Sequence, residues 1–350
     1  MVDPIYEKLA GALNARNTSL PSIICSEFFD FISFLYTSEY AAIYVAMPLG
    51  LSSINEIAGN LPAADLQKLA KNLEIMEDKG LVHIEDRDGV KLYEGLPLIP
   101  GTVEFHMMSG IVDEYHKKMV ALLKTYERAI GKMYKSGNPP QIDKSAPART
   151  VPVDKNIDPR TTIVPYKELK ELIMHTEFIS AGTCVCRHEG ALMDKPCTKP
   201  VNNCMLLGES ARFSVDKRFA RRLTQEEAIQ IIDQAEAAGL VHTYAYTTGD
   251  YFKPLCNCCH DHCGIMRSAR KSPSPGTLVI ARYLVEINND ECTSCGACVS
   301  RCQMEALKMV DGSLTRDEKR CIGCGLCMWA CPTEALTLKP LPASKIPLIS

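Results

Sequence analysis

Between Phe28 and Met47 the chain is strongly apolar, but Asp30, Ser33, Thr37, Ser38 and Glu39 break the run before it reaches the roughly 18 residues of a membrane span. The pattern predicts core helices over Ser26 to Val45. After the Pro48-Leu49-Gly50 break, a short helix is expected from Ser53 to Ala58. Leu66, Leu69, Leu73 and Met76 then recur at helical intervals, which predicts a longer helix over Ala63 to Lys79 closed by Gly80. Two short apolar runs, Leu81 to Glu85 and Val90 to Tyr93, flank Asp86, Arg87, Asp88 and Gly89 and read as a hairpin. Residues 131–165 lose this periodicity and carry prolines at 139, 140, 147, 152, 159 and 165, the signature of an extended linker. Beyond it, Tyr166 to His175 is expected to be helical. Thr224 to Gly239 is a helix with its own signals, a capping box from Thr224 and Glu227 and a closing glycine. The cysteines between these elements are expected mostly on loops.

A length of 350 residues implies two or three domains at roughly 100 to 200 residues each. The cysteines set the divisions. Cys25 stands alone, eight lie between Cys184 and Cys263, and eight between Cys292 and Cys331. The expected fold class is a multidomain α+β protein. Its parts are an N-terminal domain with a trailing helix at 1–130, the linker at 131–165, a Cys-rich section at 166–283, a repeated Cys unit at 284–340 and a tail at 341–350. Helices followed by a hairpin over about 25–96 resemble a winged helix-turn-helix. Residues 1–100 carry seven Lys and Arg against fourteen Asp and Glu, a net −7 that opposes approach to phosphate. Nucleic acid is therefore not the expected partner. A protein contact, homodimerisation through this domain included, is expected instead.

Residues 292–302 read Cys-x2-Cys-x2-Cys-x3-Cys, and 321–331 repeat that spacing at an offset of 29. Gly296 and Gly325, Glu305 and Glu334, Ala306 and Ala335, and Leu307 and Leu336 repeat at the same offset, marking a duplicated unit. This section resembles the two-[4Fe-4S] bacterial-type ferredoxins. The resemblance implies two [4Fe-4S] clusters, one held by Cys292, Cys295 and Cys298 with Cys331, the other by Cys321, Cys324 and Cys327 with Cys302. Gln303 departs from the pattern, standing where the family has the proline seen here as Pro332.

The remaining thiols, Cys184, Cys186, Cys197, Cys204, Cys256, Cys258, Cys259 and Cys263, exceed what packing can use and are candidate metal ligands. One or two further iron-sulfur clusters are expected, with zinc as the alternative. Adjacent Cys258 and Cys259 must point apart. Arg187, Lys217, Arg218, Arg221 and Arg222 read as a solvated basic face, with a docking patch for an acidic redox partner or an anionic ligand as the alternative. The whole resembles cysteine-rich, multidomain ferredoxin-like proteins of anaerobic prokaryotes. Seventeen cysteines, an odd number, cannot all pair as disulfides, and the start of the chain lacks a secretory pattern, so a reducing cytoplasm is expected. The expected function is electron transfer to or from a redox partner protein. The alternatives are a redox-responsive winged-helix regulator and a reductase that binds substrate at a cluster in the middle section, which the Cys-rich loops near His260 and His262 keep open.

Overall fold

A computed structural model describes residues 2–16, 22–135, 148–150, 169–245, 254–275 and 279–342. The chain divides into two compact units, residues 1–143 with 192–195, and residues 144–191 with 196–350.

The first unit begins with helix α1 (Pro4–Arg16), which the sequence pattern did not single out. Helices α2 (Ser26–Leu35) and α3 (Ser38–Ala46) follow. The apolar stretch breaks between them because Tyr36 is extended and the Thr37 side chain caps α3 by accepting from the Tyr40 N–H. Tyr36 and Tyr44 meet edge to face at 5.5 Å, and Arg16 lies over Tyr44 while donating to the Met47 and Pro48 carbonyls. Strand β1 (Ser52–Ser53) leads into α4 (Ile54–Gly59), which opens with a full capping box from Ser53 and Glu56. In α5 (Leu66–Asp78) the face made by Leu69, Leu73 and Met76 is buried, whereas Leu66, in the first turn, is exposed. Strands β2 (Val82–Arg87) and β3 (Val90–Gly95) close a sheet of order β1-β3-β2. Their two-residue turn needs positive φ twice, met by Asp88 at 54° and Gly89 at 82°. A π-helical turn at Leu98–Thr102, α6 (Val103–Met108) and the long α7 (Glu114–Lys135) complete the unit.

Part of the expected linker is structured: 131–135 continue α7, and β4 (Ala148–Thr150) joins a sheet. The rest of 131–165 lies outside the described residues. The second unit is built on a seven-stranded sheet of order β10-β4-β8-β9-β6-β5-β7. Its elements in chain order after β4 are α8 (Leu169–Met174), β5 (Ile179–Gly182), α9 (Val185–Leu192), β6 (Cys204–Leu207), α10 (Glu209–Asp216), β7 (Arg221–Leu223), α11 (Gln225–Ala237), β8 (Val241–Ala245), β9 (Pro254–Cys258), α12 (Gly264–Lys271) and β10 (Val279–Ile280). All described pairings are antiparallel except β10 with β4. Side chains alternate across the sheet. Ile179, Ala181, Met205, Leu207, Leu223 and Leu255 therefore bury one face under Leu169 and Ile173 of α8 and Ala228 and Ile232 of α11.

The cysteines of this section do not lie mostly on loops. Cys204 is in β6, Cys256 and Cys258 are in β9, and Cys186 is in α9. The alternating Cys-Asn-Cys of β9 and the apolar Cys-Met-Leu-Leu of β6 carry a strand signal that the density of thiols masks. After β10, the chain forms β11 (Tyr283–Ile287), α13 (Ala297–Arg301), the hairpin β12 (Leu307–Val310) and β13 (Ser313–Arg316), α14 (Leu326–Trp329) and β14 (Leu336–Pro340). Strands β11 and β14 pair antiparallel, joining the ends of the duplicated unit.

Candidate iron-sulfur site

The duplication is visible in the backbone. Gly296 and Gly325 are left-handed N-caps of α13 and α14, at φ 74° and 79°, and Glu305 and Glu334 share φ 55°. Each left-handed glycine turns a Cys-bearing loop sharply into a short helix, so three thiols of a motif aim inward. The fourth does not stay with its own motif. One hollow is lined by Cys292, Cys295, Cys298 and Cys331. A second is lined by Cys302, Cys321, Cys324 and Cys327. Neither lining contains a charged side chain, which leaves soft thiol donors around an otherwise apolar space, the donor set that suits iron-sulfur clusters. Burial pushes the Cys324 thiol up to about 12, with the charges of Cys302 and Cys321 adding to it. Such thiols become thiolates only with a cationic core among them.

The two hollows differ in surroundings. Cys295 is exposed at the rim of the first. The second is covered by the sheet section, in an apolar cluster where Val241, Cys258, Cys263, Met266, Met304, Ile322 and Leu326 pack with Cys186, Cys256, Cys302 and Cys324. Gln303 fastens this contact: buried, it donates from Nε2 to the carbonyls of Gly239 and Cys258. Arg301 donates to the carbonyls of Glu236 and Ala237 at the end of α11, where a cation suits the helix dipole.

The middle cysteines separate by sheet face. Opposed pairing of Thr243 with Cys256 and of Val241 with Cys258 puts Cys256 and Cys258 on the face turned to the duplicated unit. There Cys186 reaches Cys263, Cys263 reaches Cys258, Cys258 reaches Cys256, and Cys256 reaches Cys204. Hydrogen bonding to Cys263 and burial raise the Cys186 thiol well above its usual value. Cys259, the next residue along, instead packs with Ala235, Leu240 and Cys197. Cys184 is half-buried, and desolvation of its thiol pushes it up to about 12. All seventeen cysteines are free thiols.

Two residues that sequence reasoning left out of the site, Asn257 and Arg187, lie beside these thiols. Asn257 donates to the Asn203 carbonyl and meets Nδ1 of His242 through its own Oδ1 at 2.6 Å, on the sheet face opposite its two flanking cysteines. Arg187 is not on a solvated face but 1% exposed. His262, which the sequence places among the clustered thiols without fixing its role, lies beside Cys259 and Cys197. His260 pairs with Asp261 at 2.9 Å.

Residues 285–308 and 314–337 each match the 4Fe-4S binding domain, in two repeats at the offset of 29. This is a ferredoxin-type iron-sulfur domain. It makes the chain an iron-sulfur electron-transfer protein, and its two repeats fit two [4Fe-4S] clusters. No curated protein and no solved structure matches the chain. Among the described residues no helix is long and apolar enough to cross a membrane.

Proposed function

We propose that the ferredoxin-type domain is extended inward by a third cluster, making the chain a relay between a redox partner protein at the exposed hollow and the interior of the sheet section. Cys292, Cys295, Cys298 and Cys331 would hold one [4Fe-4S] cluster, and Cys302, Cys321, Cys324 and Cys327 the second. Cys186, Cys256, Cys258 and Cys263 would hold the third, with Cys204 backing Cys256. When bound, such clusters supply one-electron redox chemistry. The surrounding residues exclude water from the inner two sites and hold them in register. The observation that carries the reading is the shared packing of Cys258, Cys263, Cys186 and Cys256 with Cys302 and Cys324 in one apolar cluster.

The first unit, with its β1-α4-α5-β2-β3 order, is read as winged-helix-like and as the surface for a partner protein or a second copy of the chain. A DNA-reading role is disfavoured because Lys68 and Lys91, on and beside α5, are tied to Glu39 at 2.6 Å and Glu74 at 3.0 Å. Metal analysis of anaerobically purified full-length protein tests the relay, with about twelve iron and twelve sulfide per chain expected for three cubanes. Replacing Cys186 and Cys263 together by Ala should leave about eight of each, with the ferredoxin EPR signals retained. About eight iron in the unaltered protein removes the third cluster.

A further inference from the structure

Cys197, Cys259 and His262 differ from the other thiol sets in how tightly they are gathered. Their three donor atoms all lie within 4.8 Å of one another. The Sγ of Cys259 is 3.8 Å from Nδ1 of His262. Around one tetrahedral ion, metal-sulfur bonds of about 2.3 Å place neighbouring donors about 3.8 Å apart. A cubane sets a separate iron behind each thiolate, which forces its four sulfurs much further apart. Among the described residues no trio from the ferredoxin quartets, or from the set on the other sheet face, is gathered this closely. The spacing therefore suits a single ion and not a cluster.

The site is also built from fixed parts. Cys259 follows β9 directly and is 1% exposed, and the turn carrying His262 closes through the Cys263 N–H on the Cys259 carbonyl at 3.2 Å. Cys197 comes from the α9–β6 connection, which Lys199 anchors by donating to the Ala238 carbonyl at the end of α11 at 2.6 Å. A second observation is independent of this spacing. The guanidinium of Arg187 is buried, and its described hydrogen bonds to oxygen go to the neutral Asn257 carbonyl and Asn203 Oδ1, while the same side chain reaches Cys259. A buried cation without a counter-charge is costly. A divalent ion with two thiolates is neutral, and a third thiolate makes the site anionic, which the guanidinium balances. Cys184, two residues before Cys186, acts by its charge on both Arg187 and Cys259 but stands outside the 4.8 Å group, so it would have to draw in to take that role.

We propose that Cys197, Cys259 and His262 bind a single zinc ion, with Cys184 completing a tetrahedral set and Arg187 balancing its charge. Zinc fits because mixed thiolate and imidazole donors in a tetrahedron are its structural-site preference. The ion clamps the α9–β6 connection to the β9–α12 turn, and so steadies the segment that presents Cys258 and Cys263 to the other face of the sheet. Being redox-inert, zinc would do this whatever the oxidation state of its neighbours.

Anaerobically purified full-length protein should contain about one zinc per chain, with zinc-edge X-ray absorption showing sulfur at about 2.3 Å and nitrogen at about 2.0 to 2.1 Å. Cys197→Ala and His262→Ala should each lose the zinc while iron and sulfide stay unchanged. His262→Cys should keep it, in an all-sulfur shell. Cys184→Ala should reduce the sulfur count of the shell, and an unaltered shell overturns the place given to Cys184. Unaltered protein without zinc overturns the proposal. So does a loss of about four iron in Cys197→Ala, which would make Cys197 a cluster ligand and leave the relay standing. One zinc alongside only about eight iron would remove the third cluster and leave the zinc site in place.

Discussion

His106 shows how far a single side chain can be moved by its surroundings. It lies buried on α6, with Nδ1 2.9 Å from the Thr102 carbonyl, Nε2 3.4 Å from the Tyr115 hydroxyl, and the Tyr115 ring stacked on it. Nδ1 is therefore the donor and Nε2 the acceptor. Burial pushes the His106 imidazolium down from 6.5 to about 4, the charges of His116 and Lys79 acting in the same direction. An unfolded imidazole takes its proton near pH 6.5 and the folded one only near 4, so between these values the unfolded chain binds more protons and stability falls as pH drops. The contribution is whole above pH 6.5 and gone by about pH 4, a difference of about 3 kcal/mol. Hydrogen exchange of peptides spanning 98–110, corrected for intrinsic rate, should show protection falling over that window, with His106→Gln flattening the dependence. Equal pH dependence in the two proteins would show that another group titrates there.

At the scale of elements, the two ferredoxin repeats share a backbone but not a tolerance for side chains. Ser294 and Gly323 occupy equivalent places and both have positive φ, 55° and 62°. At Gly323 a Cβ would stand 2.7 Å from the carbonyl carbon of Tyr283 and closer still to its oxygen. Strand β11 crosses there, so the second repeat needs glycine for close approach as well as for conformation. Gly323→Ala should cost about 1 to 3 kcal/mol and loosen the hollow lined by Cys302, Cys321, Cys324 and Cys327. Ser294→Ala should be nearly silent. Iron release on mild chelation, followed by EPR, separates the two variants, and equal release rates would count against the crowding at β11. Gln303 belongs to the same scale. A proline in its place would lack the amide that reaches the Gly239 and Cys258 carbonyls, so the departure from the ferredoxin pattern serves the contact with the sheet section.

For the whole molecule, the first question is whether the helices and hairpin of the N-terminal unit read DNA. Residues 1–100 carry a net −7. Several of the few cations there are engaged: Lys68 with Glu39, Lys91 with Glu74 and Arg87 with Glu85, while Lys79 lies over the Tyr40 ring. Each phosphate neutralised by a duplex binder contributes about 0.9 to the slope of log affinity on log salt. The full-length protein should therefore give no salt-dependent anisotropy change with labelled duplex DNA at physiological ionic strength. Tight binding with a steep salt slope would favour the regulator over the relay.

The ferredoxin-type domain was legible in the residues themselves, because its cysteine motifs lie within two short loops whose spacing and glycines are local properties. The α4, α5 and hairpin signals were legible for the same reason: caps, helical periodicity and a two-residue turn each act over a few residues. The middle section was not. Its thiols come from β6, β9, α9 and the turns beside them, and only strand pairing decides that Cys256 and Cys258 face the duplicated unit while Cys259 turns away to Cys197 and His262. Nor could composition reveal that Arg187 is buried or that Gln303 is a fastening, since both depend on which backbone carbonyls the fold brings within reach. By itself the sequence determined that cysteine chemistry dominates the second half of the chain. Which thiols lie near one another was decided by the tertiary structure, because proximity is set by distance in space and the sheet gathers cysteines from segments some eighty residues apart in the chain.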